Sequence, residues 1–104
     1  MKKNKLLATL KIKGQDYSIR ATIHAQKRMV ERRIDEYVVS GNILALGYER
    51  LMGYRNTDKE FAIVDKIKNV AIIAAMRRNT VIVITVIDKE DIWIKDGTAI
   101  FNLI

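Results

Sequence analysis

The chain has 104 residues, 49% of them hydrophobic, and sets 19 lysines and arginines against 12 aspartates and glutamates, for a formal charge of +7. That is the length of one domain with a core to bury, and no apolar run nears the roughly 18 residues of a membrane span. It contains no cysteine and one histidine, which excludes a disulfide framework, a thiol nucleophile and the usual zinc sets.

No metal or other cofactor is expected. Lys11 and Lys13 interrupt the N-terminus too early for a signal peptide, so the expected location is cytoplasmic, away from membranes. The excess positive charge points to an anionic partner, RNA first and DNA second.

Leu6 to Lys13 alternates apolar and polar residues and predicts a half-buried strand, with Gly14-Gln15-Asp16 as a turn. Tyr17-Ser18-Ile19 either returns as a short strand or leads into a helix. Thr22 is a candidate N-cap for a helix from Ile23 to Arg33. Ile23, Val30 and Ile34 share one side of that helix, and Ala25 and Met29 form a second apolar strip. His24, Arg28, Glu31 and Arg32 gather between the strips. Asp35 is the next candidate cap, for a helix that ends near Ser40-Gly41-Asn42 or continues weakly to Gly47. Tyr48 to Tyr54 reads as a strand, broken by Gly53. Phe61 to Ile67, Val70 to Met76 and the β-branched run Thr80 to Ile87 read as successive antiparallel strands. After the charged break Asp88 to Asp91, residues 92–104 predict a hairpin around Asp96-Gly97 or an edge strand. The whole is expected to be one domain, 1–104. Its class is α+β, with one or two N-terminal helices packed on an antiparallel β-sheet.

The constellation with chemical content is His24-Ala25-x-x-Arg28-Met29-x-x-Arg32-x-Ile34. Positions four apart on a helix share a face. One turn would then present an imidazole that exchanges protons near neutral pH and a guanidinium suited to phosphate. With the acidic pair Asp35-Glu36, Val38 and Gly41, this stretch resembles a family of small bacterial domains of unknown function whose hallmark is a helix beginning "HAxxRMxxRGI". That family is similar to the RelE, barnase, EndoU and colicin group of metal-independent ribonuclease folds, many of them toxins. The resemblance covers about residues 22 to 87, and Arg33 stands where the family usually has glycine. It implies a RelE- or barnase-like fold, a toxin-like or prophage-type role and a cognate inhibitor or antitoxin protein as a partner.

Metal-free RNA cleavage needs a base for the 2′-hydroxyl, an acid for the leaving oxygen, and donors to the phosphate. His24 is the candidate acid or base and Arg28 the phosphate ligand. The resemblance adds Thr85 as a strand hydroxyl facing the site. Arg32, Arg55, Arg77 and Arg78 are candidate nucleic-acid contacts, with Arg50 a weaker one. Tyr48 and Tyr54 are candidate stacking residues, Glu31 and Glu60 remote candidates for a base, and Trp93 an anchor for the C-terminal segment.

The expected function is a metal-independent endoribonuclease-like protein. A non-catalytic nucleic-acid-binding or regulatory module is the alternative. A third reading is an interaction module, or a homodimer, that pairs through the C-terminal strand.

Overall fold

The computed structural model describes residues 4–57, 59–88 and 94–103. In chain order the elements are β1 (Lys5–Ile12), β2 (Gln15–Ala21), α1 (Ile23–Glu31), α2 (Glu36–Leu46), α3 (Tyr48–Met52), β3 (Phe61–Asp65), β4 (Val70–Arg77), β5 (Thr80–Asp88) and β6 (Ala99–Leu103).

All six strands form one sheet in the order β1-β2-β5-β4-β3-β6. The sheet is mixed. Pairs β1–β2, β3–β4 and β4–β5 are antiparallel, whereas β2 runs parallel to β5 and β3 parallel to β6. This corrects the expectation of one or two helices on an antiparallel, RelE- or barnase-like sheet. The described residues hold three helices, and the chain does not turn back after β2. It passes through all three helices before starting β3 in the direction of β2, the crossover that strands of like direction require.

Local chemistry explains most boundaries. Lys13 and Gly14, both with positive φ (49° and 83°), make a two-residue hairpin turn closed by Ile12 opposite Gln15, which suits the twist of the flanking strands. Thr22 begins α1: its hydroxyl accepts from the Ala25 amide at 3.1 Å. Asp35 begins α2 by accepting from the Tyr37 amide at 2.8 Å. The α2 helix runs through Gly41 and ends at Gly47, whose φ of 96° suits glycine. The expected strand at Tyr48 to Tyr54 is instead the short helix α3. Glu49, Arg50, Leu51 and Met52 are good helix formers, and Leu51 is fully buried under the turn. Asp65 closes β3 by accepting from the Ile67 and Lys68 amides at 3.0 and 3.1 Å. At the C-terminal end, β6 forms the sheet edge beside β3. Ile92 and Trp93 lie outside the described residues.

The helices cover one face. Ile19 and Ala21 of β2, Phe61 and Ile63 of β3, Ile72, Ala74 and Met76 of β4, and Val81, Val83 and Val86 of β5 pack against Ala25, Met29, Val39, Ile43 and Leu51. Of the two apolar strips on α1, only Ala25 and Met29 are buried, while Ile23 and Val30 face solvent. An aromatic trio, Tyr54, Phe61 and Phe101, ties α3 to β3 and β6 with ring centroids 5.1 to 6.2 Å apart. The reverse face carries the alternate residues. Ala62, Ala71 and Ile73 are buried there, outside the helix-side cluster.

Candidate anion-binding surfaces

β5 is longer than its parallel neighbour. Its rungs with β2 stop at Ala21 opposite Val83, and α1 takes over the edge beyond that point. The Thr22 hydroxyl donates to the Ile84 carbonyl at 3.0 Å, and Nη1 of Arg32 donates to the Val86 carbonyl at 2.6 Å. Both carbonyls would otherwise be strand-edge acceptors without a strand to meet them. Thr22 therefore both starts the helix and fixes it to β5, and Arg32, expected as a nucleic-acid contact, seals the sheet edge.

His24 lies in the first turn of α1 and is exposed. Among the described residues its side chain makes no hydrogen bond or ion pair, so the imidazole neither packs in the core nor serves a carbonyl. Arg28 follows one turn later, half-exposed, and pairs with Glu31 at 2.8 Å. The strip from His24 to Glu31 thus faces solvent and holds one neutralised cation.

Thr85 is not part of that strip. It sits opposite Ile73 of β4, on the reverse face, whereas α1 packs into the helix-side core through Ala25 and Met29. A register shift in β5 beside Ile73 and Ala74 sets this alternation, and spacing along the strand does not reveal it.

Arg55, Arg77 and Arg78 gather at the other end of β5. The Arg77-Arg78-Asn79 turn is built by long-range bonds. Arg55 donates from Nε to the Arg78 carbonyl at 3.2 Å and from Nη2 to Oδ1 of Asn79 at 2.9 Å. Asn56 Oδ1 accepts from the Arg78 amide at 2.8 Å, and the Ser18 amide donates to the Asn79 carbonyl at 2.9 Å. Arg55, Arg77 and Arg78 are exposed there. Six strand residues separate this turn from the Arg32 anchor at Val86, about 20 Å at strand rise. The arginines expected as nucleic-acid contacts therefore fall in two separate places, Arg32 at one end of β5 and Arg55, Arg77 and Arg78 at the other.

Several secondary candidates have packing roles. Tyr54 belongs to the aromatic trio rather than to an open stacking platform. The Arg50 guanidinium stands 5.9 Å from the Phe101 ring centroid. Glu60, exposed, lines a shallow depression on the reverse face with Arg77, Ala75, Ile82 and Ile84. The Tyr48 side chain and Trp93 lie outside the described residues. No group of three or more metal-ligating side chains occurs among the described residues, and no helix there is long and apolar enough to cross a membrane.

One charged cavity escaped the sequence reading. About 370 Å³ in volume, it lies between the α1–α2 turn and the β3–β4 turn, with Arg32, Arg33, Asp35, Lys68, Asn69 and Asp88 on its walls. Two wall residues hold left-handed backbone, Arg33 at φ 54° and Asn69 at φ 56°. Asparagine tolerates this conformation, but an ordinary side chain pays roughly 1 kcal/mol or more for it. The available signal was Arg33 itself, standing where the resembling motif has glycine.

No family model, no curated protein and no solved structure matches this chain.

Proposed function

We propose that this chain is a cytoplasmic RNA-binding domain. The carrying observation is the arginine-bearing turn between β4 and β5. Three hydrogen bonds with Arg55, Asn56 and Ser18 brace its backbone and a fourth, from Arg55, holds the Asn79 side chain, while Arg55, Arg77 and Arg78 stand exposed around it. A braced loop with three guanidiniums suits phosphate oxygens, because little ordering remains to be done on binding. The net charge of +7 adds long-range attraction for a polyanion. RNA is preferred to DNA on the strength of the motif resemblance at His24 to Ile34.

Fluorescence anisotropy with a labelled single-stranded RNA across a salt series tests this. The wild type should show a steep log K against log[salt] slope. Arg77→Ala and Arg78→Ala should each reduce that slope by about 0.7, the value per phosphate contact on a single strand. Binding that is independent of salt, or unchanged in both variants, overturns the proposal.

Metal-independent cleavage is the second reading. The observation favouring it is that His24 is exposed and unbonded one helical turn before Arg28. On this reading His24 moves the proton and Arg28 leaves Glu31 for the phosphate. It ranks second because Thr85 faces the other way and Arg28 is already paired. RNA cleavage in EDTA that is lost in His24→Ala would establish it, and equal cleavage by both proteins would remove His24 from the chemistry.

A further inference from the structure

The cavity beside Arg33 has the charge and shape of a ligand site. Its walls carry three cations, Arg32, Arg33 and Lys68, against two carboxylates, Asp35 and Asp88. The described ion pairs include Lys5–Glu36, Lys11–Asp16 and Arg28–Glu31. None of these joins charges in this cavity, so among the described residues Arg32, Arg33 and Lys68 make no ion pair although two carboxylates share the space. Asp35 is already engaged as the α2 cap. Arg32 is fixed by one N–H on Val86, which leaves four further guanidinium donors in a pre-set position. Arg33 keeps a cation at a backbone position that favours glycine, and strain of that kind gathers at ligand sites. The volume falls within the range of small-molecule pockets, about 300–1,000 Å³, and exceeds what a bare oxyanion needs. Ile34, Val38 and Val70 supply apolar wall for an organic body, and the carboxylates can accept from sugar hydroxyls.

We propose that this cavity binds a phosphorylated sugar moiety, with Arg32, Arg33 and Lys68 on the phosphate. A free nucleoside monophosphate and the phosphorylated end of an RNA share that chemistry. The site does not rest on the RNA-binding reading above, because it lies at the opposite end of β5 from Arg77 and Arg78.

The test is a titration followed by backbone amide NMR, with uridine 5′-monophosphate and uridine as probes. The monophosphate should give saturable shifts at Arg33, Lys68 and Asn69, and uridine should give none. Arg33→Gly, at a position whose backbone suits glycine, should weaken monophosphate binding about tenfold without lowering Tm, as should Lys68→Gln. Lys27→Ala, an exposed cation outside the cavity, should bind as the wild type does. A 5′-phosphorylated hexauridylate that shifts the same amides more tightly than its 5′-hydroxyl twin identifies an RNA end as the ligand. Monophosphate binding as tight as that of the phosphorylated hexamer identifies the free nucleotide. The proposal is overturned if uridine binds as well as its monophosphate. Wild-type binding in both Arg33→Gly and Lys68→Gln, or shifts centred on Arg77 and Arg78, would equally overturn it.

Discussion

Arg28 and Arg32 look interchangeable in the motif, yet the structure gives them different work, and substituting alanine at each should separate them. Arg32→Ala removes a charged donor from the Val86 carbonyl, a bond of 2.6 Å at a partly buried strand edge. Hydrogen bonds to charged groups contribute about 1.5–3 kcal/mol. Partial exposure lets water replace some of this, so the low end, about 1.5 kcal/mol, applies. Loss of the half-buried aliphatic stem adds roughly 0.5–1 kcal/mol at about 0.8 kcal/mol per fully buried methylene. The sum is about 2 kcal/mol, or ~8–16 °C in Tm for a domain of this size. Arg28→Ala breaks only a surface i,i+3 pair to Glu31 whose members are 39% and 57% exposed. Such pairs contribute about 0.3–0.5 kcal/mol, so its Tm should fall by no more than ~4 °C. Thermal and urea denaturation followed by circular dichroism would measure both variants. Equal losses of stability would refute the assignment of Arg32 to the sheet edge.

Thr22→Ala should lose both a helix cap and a strand-edge donor, about 2–3 kcal/mol together, while Thr22→Ser should retain most of that, as urea midpoints would show. Asn42 of α2 is 8% exposed, and its side-chain Nδ2 is buried without a partner among the described residues. Its replacement by alanine removes a desolvated donor and raises helix propensity, so Asn42→Ala should match or exceed wild-type stability by up to about 1 kcal/mol. A loss above about 1 kcal/mol on chemical denaturation would contradict that.

What could be read from the sequence was local. Thr22 and Asp35 announced two helix starts because a cap acts on amides two or three residues away. The β-branched run at Thr80 announced β5 because every residue in it prefers extended backbone. The parallel pairing of β2 with β5 was not legible, since direction depends on where the chain goes between the two strands. The roles of Arg32 and Arg55 were hidden for a related reason: their acceptors stand 54 and 23–24 residues away, and no spacing rule encodes such partners. Thr85 was misplaced because a shift in ladder register moves a side chain to the other face. Tyr54 read as a stacking candidate because one of its aromatic neighbours, Phe101, comes from a strand distant in sequence, and nothing in the local spacing shows that Phe61 turns back onto it.

The bonds that attach α1 to β5 also carry a consequence in time. Thr22 and its acceptor Ile84 are separated by 62 residues, which at roughly 5–20 residues per second is about 3–12 s of synthesis. For that interval α1 has nine residues, too few to hold a helix alone in water, and its buried face has no sheet to rest on. The motif at His24 is therefore made early but shaped late. A nascent chain halted before Ile84 should present His24 and Arg28 on a fluctuating segment, and their fixed spacing arrives only when β5 does.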